Sequence, residues 1–369
     1  MATRNLLFLR TLPTSLAELQ AAITQGVLFS SSSITSIKYL DIAVTLPAAL
    51  TTGATVSRRH SFYQVSNIVN RLYTLTEGIN EEIDVNVILL HEDYNACGGV
   101  IRHWSDLRRL NEVGQWLNIL WVEDADDLFG PNCKNAIPLQ IEHESVDERW
   151  WENHTDAMET LAEREEHYVS CVGGTFDYLH AGHKLLLTMT AYLIPSDATS
   201  PKLVIGITGA EHLKKKKHKE YVTSWETRCE ATLSFLRGIV GDNRTASFHS
   251  NEGAELEVES ELPTSTRIKR FELSSPVGKK PIVLELHEFQ DIFGPTITVE
   301  EISCLIVSEE TRSGGGLVND KRRELGWSEL EVFTVGLVGG DGSVATKLSS
   351  TEMRRRKAEK ADVLKGFGS

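Results

Sequence analysis

Residues Val172 to Leu187 read VGGTFDYLHAGHKLLL. Val169–Val172 has the apolar character of a buried strand, and HKLLLTMTAYL after it has that of a helix. Gly173 and Gly174 allow the backbone to turn sharply and to approach a ligand closely. The helix is expected to begin near His180 or Ala181, which puts His180 and His183 in its first turn. Residues three apart share a helix face, so both imidazoles can point the same way. That way lies outside the carboxyl end of the strand, where open α/β sheets bind ligands. The helix N–H groups and dipole favour an anion at that place.

Other uses of two histidines fit less well. Packing histidines conflict with Gly182 between them and with an exposed turn, because buried polar groups need partners. A zinc pair lacks the HExxH glutamate and any nearby cysteine pair. A dinucleotide site needs GxGxxG, whereas this turn reads GGTFDY. The chemistry that suits this arrangement is transfer of a nucleotidyl group. Negative charge then builds on the equatorial oxygens of a phosphorus under attack, and fixed donors stabilise it without a side-chain nucleophile.

Two further clusters suit that chemistry. Lys214–Lys217, with His218 and Lys219, follow the second strand of this half and form a candidate phosphate clamp. KLSSTEMRRRK, residues 347–357, opens the last helix. Ser349 and Glu352 have capping-box spacing, which by itself would stabilise a helix end. Ser350, Thr351 and the helix N–H groups could instead hold a polyphosphate, with Arg354 one turn on. Arginines in a first turn oppose the dipole, and an anion would relieve that cost. Gly314–Gly316 read either as another phosphate-facing turn or as a flexible loop.

Around these clusters, strands and helices alternate. KYL running into DIAVTL, VNVILLH and NILWVE are strands of a first α/β region with FYQVSNIVNRLYTL as a helix, and no phosphate loop is found there. In the second half YVSCV, KLVIGIT, VLELHEF, CLIVSEE and EVFTVGLV are strands, separated by helices. One helix is opened by a capping box of Thr223 with Glu226, and STEMRRRKAEKADVL is the last. The fold class is therefore α/β: a C-terminal Rossmann-like parallel sheet preceded by a second α/β domain. The boundaries are 1–140, an acidic helical linker over 141–167, and 168–369 with a polar surface insertion at about 243–280.

With 369 residues, 52 acidic against 38 basic side chains and a net charge of −14, the chain is a poor partner for nucleic acid or anionic membranes. No apolar run reaches the ~18 residues needed to span a bilayer. Five scattered cysteines without a CxxC pair indicate a reducing compartment. A cytoplasmic location is expected. The start, MATRNLLFLR, faintly resembles a mitochondrial presequence, which keeps mitochondrial association as the alternative.

The order VGGTFDYLHAGHKLLL, DIFGPT (Asp291–Thr296), VSEETRSGGGLVNDKR, SSTEMR resembles the HxGH nucleotidyltransferase superfamily. Within it the chain is similar to phosphopantetheine adenylyltransferases of the eukaryotic and archaeal branch over about Tyr168–Leu364. Leu348 stands where the ISSTxxR motif has isoleucine. The resemblance implies transfer of AMP from ATP to 4′-phosphopantetheine, giving dephospho-coenzyme A and pyrophosphate, with Mg²⁺ held mainly by the ATP phosphates; Asp177 is a weak protein candidate.

It further implies site roles. His180 and His183, with Lys214 or Lys215, would be catalytic. Gly173, Gly174, Thr175, Phe176, Ser349, Ser350, Thr351 and Arg354 would bind ATP along with His183. Thr175, Lys214, Lys215, Lys216, Lys217, Asn319 and Arg322 would bind the acceptor. No P-loop of a fused dephospho-coenzyme A kinase is present, so a monofunctional, fungal-like member with a separate kinase chain as partner is expected. A cytidylyltransferase of the same superfamily, an inactive scaffold for coenzyme A enzymes and a metal-dependent hydrolase remain as alternatives; SSTEMR in place of an Arg-Thr motif favours ATP.

Overall fold

The computed structural model describes residues 4–32, 38–50, 57–77, 79–80, 82–122, 126–129, 133–141, 150–151, 169–195, 197–214, 217–241, 267–274, 279–339, 354–355 and 359. The first half contains β1 (Arg4–Leu9), α1 (Leu16–Ser32), β2 (Tyr39–Thr45), α2 (Phe62–Thr76), β3 (Asp84–His91), β4 (Ile101–His103), α3 (Ser105–Glu112), β5 (Asn118–Trp121), α4 (Asp126–Phe129) and β6 (Ala136–Pro138). Its strands form one parallel sheet in the order β4-β3-β2-β1-β5-β6. The second half contains β7 (Val169–Gly174), α5 (Ala181–Tyr192), β8 (Lys202–Thr208), α6 (Ala210–Leu213), α7 (Trp225–Val240), β9 (Ile268–Leu273), β10 (Ile282–Phe289), β11 (Cys304–Ser308), α8 (Arg312–Glu324) and β12 (Glu331–Val335). The order here is β12-β11-β7-β8-β10-β9, parallel except where β9 runs against β10.

The expected Rossmann-like architecture is present. After β10 the chain crosses to the far side of β7, so β7 and β11 flank a topological switch point, the place where such sheets bind ligands. Helices α5 and α7 cover one face of this sheet, with Val172, Leu203, Ile205 and Leu284 beneath them, and α8 covers the other through Val318 against Cys171 and Leu305.

Three local expectations change, and one strand appears that the sequence reading did not include. Residues Arg4–Leu9, within the stretch of presequence character, form β1, near the centre of the first sheet, with Leu6, Leu7, Phe8 and Leu9 fully buried. An unbroken apolar run is what a strand covered on both faces presents, and a count of basic residues at the start cannot see it. Within the polar stretch 243–280, Ile268–Leu273 is a strand; its polarity is that of a sheet edge with mostly half-exposed residues. Gly314–Gly316 lie inside α8 rather than in a turn, and a Cβ on Gly315 would come within 2.8 Å of Val332. The cap of α7 is Ser224, whose hydroxyl accepts from the Thr227 N–H at 3.1 Å, one residue later than the expected Thr223.

The acidic linker lies almost wholly outside the described residues. Of it, Trp150 and Trp151 are buried, and the Trp150 indole donates to the Pro13 carbonyl at 3.0 Å.

The two halves share one core. α2 lies against α5, and Phe62 packs on Phe333 with ring centroids 4.7 Å apart. Arg58 donates to the carbonyls of Tyr192 (3.0 Å), Ala96 (3.3 Å) and Gly98 (3.2 Å). Arg59 pairs with Glu331 at 2.7 Å. Lys184, next to His183 and 3% exposed, donates its ammonium to Asp84, the Val85 carbonyl (2.7 Å) and Asn86 Oδ1 (2.9 Å), all on β3. A buried charge is tolerated only when so paired, and burial still pulls the Lys184 ammonium below the ordinary lysine range.

Two predictions follow from this packing. Asp84→Asn leaves the Lys184 ammonium with neutral acceptors only. It should cost about 2 kcal/mol in chemical denaturation, less than a fully buried pair because the Asp84 side chain is 50% exposed. On β10, hydrogen bonding to His287, with Lys202 and Arg270 adjacent, holds Glu285 down at about 2 from the ordinary 4.5. Its stabilisation is present above about pH 4.5 and is lost as pH falls toward 2. The stability gap between wild type and Glu285→Gln should therefore narrow across that window.

Candidate active site at the end of β7

The histidine turn forms as the sequence implies, but the glycines do not make it. Gly173 and Gly174 still pair with Gly206 and Ile207 of β8, and neither has a positive φ. Phe176 (φ 50°) and Tyr178 (φ 49°) turn the chain instead. Left-handed backbone at bulky residues is costly and persists only where the surroundings enforce it. Phe176 is fully buried, and a Cβ on Gly174 would stand 3.0 Å from its ring. The use of Gly174 is thus to admit Phe176.

His180 is the extended N-cap residue of α5, its carbonyl accepting from the Lys184 N–H at 3.0 Å, and His183 lies in the first turn. The two imidazoles stack on each other, centroids 3.9 Å apart and planes 27° from parallel, with Phe176 5.2 Å from the His183 ring. A Cβ at Gly182 would come within 3.2 Å of the His180 ring. A side chain at Gly182 would therefore crowd the His180 ring. Two imidazoles over a helix start at a strand end present hydrogen-bond donors to an anion.

Beneath the turn, Asp177 is fully buried. It accepts from the Thr223 N–H at 3.1 Å and its hydroxyl at 3.0 Å, and pairs with Arg354 at 2.8 Å. Arg354, 2% exposed, also donates from Nε to the Lys217 carbonyl at 3.2 Å. The Tyr178 hydroxyl donates to the Tyr221 carbonyl at 2.7 Å. Arg228, buried on α7, donates to the carbonyls of Thr175 and Thr208, both 2.9 Å, and so ties the ends of β7 and β8. The basic loop, the start of α7 and the segment bearing Arg354 are all fastened to the histidine turn.

Of the basic cluster, Lys214 is exposed and paired with Glu211 at 2.6 Å, and Lys217 joins through its backbone. Lys215, Lys216, Ser349, Ser350 and Thr351 lie outside the described residues. Thr175 lines the turn, nearly buried. Asn319 and Arg322 are placed differently from the expectation of acceptor contacts. The Asn319 amide brackets the backbone of Leu330 at 2.9 and 2.8 Å. Arg322, 1% exposed, spends its donors on the carbonyls of Thr296, Glu300, Ile302 and Ser328. Both residues secure the loops around β11 and β12.

Arg228 and Thr223 were not legible as site residues. The one signal is an arginine within the buried stripe of Trp225, Cys229 and Thr232 on α7. Asp177 is committed to Thr223 and Arg354, and among the described residues no group of three His, Cys, Asp or Glu could hold a metal ion. Thiol chemistry has no candidate in the described core: burial pushes Cys97, Cys229 and Cys304 up to about 12, and Cys171 higher still.

A parallel sheet with this histidine turn at its switch point is the fold of a nucleotidyltransferase, and residues 171–356 match the cytidylyltransferase-like family. The phosphopantetheine adenylyltransferase of Saccharomyces cerevisiae is 32% identical over 79% of this chain and 78% of its own. An uncharacterized protein of Schizosaccharomyces pombe is 28% identical over 82% of each, and the phosphopantetheine adenylyltransferase of Thermococcus gammatolerans 27% identical over 50% of this chain and 85% of its own. The chain belongs to the phosphopantetheine adenylyltransferase family.

The geometry predicts that Gly182→Ala, favourable for the helix, displaces the His180 ring. The turnover number should fall at least about tenfold, the scale of one displaced donor, with the melting temperature nearly unchanged. Asp177→Asn leaves the Arg354 guanidinium buried beside a neutral amide and should cost about 3 kcal/mol in denaturant unfolding.

Proposed function

We propose that this chain transfers AMP from ATP to 4′-phosphopantetheine, forming dephospho-coenzyme A and pyrophosphate, a step of coenzyme A biosynthesis. The observation that carries the reading is the stacked His180–His183 pair above the start of α5, in a chain that aligns with a yeast phosphopantetheine adenylyltransferase over most of both lengths. A phosphate oxygen of the acceptor attacks the α-phosphorus of ATP. The bond from that phosphorus to the bridging oxygen breaks, and pyrophosphate leaves with the electron pair.

His180 and His183 donate to the phosphate oxygens as charge builds on them. Thr175 contacts the reacting phosphate. The lysines of 214–217 neutralise the acceptor phosphate. Ser349, Ser350 and Thr351 hold the adenylate side. Arg354 anchors that segment to the histidine turn through Asp177, a positioning role. Mg²⁺, held mainly by the ATP phosphates, would neutralise phosphate charge when bound. The dephospho-coenzyme A product needs a kinase to complete coenzyme A, and a separate kinase chain is the expected partner. No described helix is long and apolar enough to cross a membrane.

Pyrophosphate release with ATP, Mg²⁺ and 4′-phosphopantetheine tests the proposal. Release should require the acceptor, be at least ~100-fold slower with CTP, and fall ~100-fold or more in folded His183→Ala. CTP-dependent release would assign a cytidylyltransferase instead. No release from folded protein with any nucleotide would leave the scaffold reading.

A further inference from the structure

A cavity of about 500 Å³ is lined by residues of both halves. Its charged lining is Arg4, Arg102, Lys184 and Arg237 against Asp41 and Asp84. Both carboxylates are already engaged. Asp41 takes Arg4 at 2.5 Å, the Trp116 indole at 2.9 Å and the Asn86 amide at 3.1 Å, while Asp84 takes Lys184.

Arg102 is different. It is 2% exposed, yet its Nε and Nη2 make no hydrogen bond. Nη1 has only a long contact of 3.4 Å to the Gly238 carbonyl, and the Asp106 carboxylate lies 3.8 Å from Nε. Even with Asp106 counted, cations outnumber carboxylates in this cavity, within a chain whose net charge is −14. A buried guanidinium with open donors is a costly arrangement that an oxyanion relieves, and its fork matches phosphate.

Gly238, in the last turns of α7, supplies the carbonyl that contacts Arg102, and a Cβ there would meet nothing within 4 Å. The volume is in the range that accommodates a nucleotide-sized molecule, and Trp116, Phe235 and Leu110 supply apolar surface for its organic part.

We propose that this cavity binds a small phosphorylated ligand through Arg102, and that its occupancy is felt by the catalytic turn. Leu179 and Lys184, which line it, immediately precede His180 and follow His183. A ligand pressing on either shifts the element that carries both imidazoles. The coupling rests on the adenylyltransferase reading; the binding does not.

The test is titration calorimetry on the full chain with its catalytic site saturated by α,β-methylene-ATP, using inorganic phosphate in one arm and ADP in the other. One further site is expected, with affinity at least tenfold weaker in Arg102→Met and in Gly238→Leu; the latter fills the cavity without removing a buried charge, should Arg102→Met fail to fold. Tighter binding of ADP assigns an organic phosphate, and equal affinities assign free phosphate. The probe that binds should change the initial rate of pyrophosphate release at least twofold in wild type and not in Gly238→Leu. Absence of a further site, or a site unaltered in both variants, overturns the proposal. Binding without any change in rate overturns the coupling.

Discussion

The buried carboxylate of Asp177 is the constraint on which the site depends. A charge with no exposure must be paired and hydrogen-bonded, and here the partners come from two separate parts of the chain: the Thr223 backbone and hydroxyl before α7, and Arg354 far beyond β12. The same residue lies between the two left-handed positions that bend the histidine turn, Phe176 and Tyr178. Its pairing therefore pays for the strain of the turn and draws the C-terminal segment back across the strand ends. Arg228 repeats the arrangement with carbonyl acceptors at β7 and β8.

The second constraint is the seam between halves. The helix that begins with the two histidines is not a free surface helix; Lys184 and Tyr192 face β3 and the start of α2. The first sheet thus fixes the position of α5 from behind while the second sheet holds its N-terminus at the carboxyl end of β7. This gives the first domain, which carries no phosphate-loop motif, a physical role in the geometry of the site, and it is the reason a cavity between the halves can communicate with the histidines.

Much of the fold was readable because it rests on local patterns. Apolar runs bounded by turn residues marked most strands, and HAGH followed by LLL marked the helix start correctly. The errors were of a different kind. β1 was hidden because buried central strands lose the alternation that identifies strands. β9 was hidden because edge strands resemble polar loops. The glycines of α8 read as a turn because close packing on Val332 is not a sequence property. Arg322 and Arg228 look like any arginine on a basic or polar helix, and only their carbonyl acceptors, brought from other elements, reveal them as internal braces.

By itself the sequence determined the order of elements, the class of chemistry and the pair of histidines at a strand end, because those depend on residue type and near-neighbour spacing. The tertiary structure alone decided that the imidazoles stack, that Gly182 makes room for the His180 ring, that Asp177 and Arg354 form one buried pair, and that Arg102 is left facing a cavity. Each of these joins atoms distant along the chain or depends on exact side-chain direction, and burial and pairing energies are set by that geometry rather than by spacing.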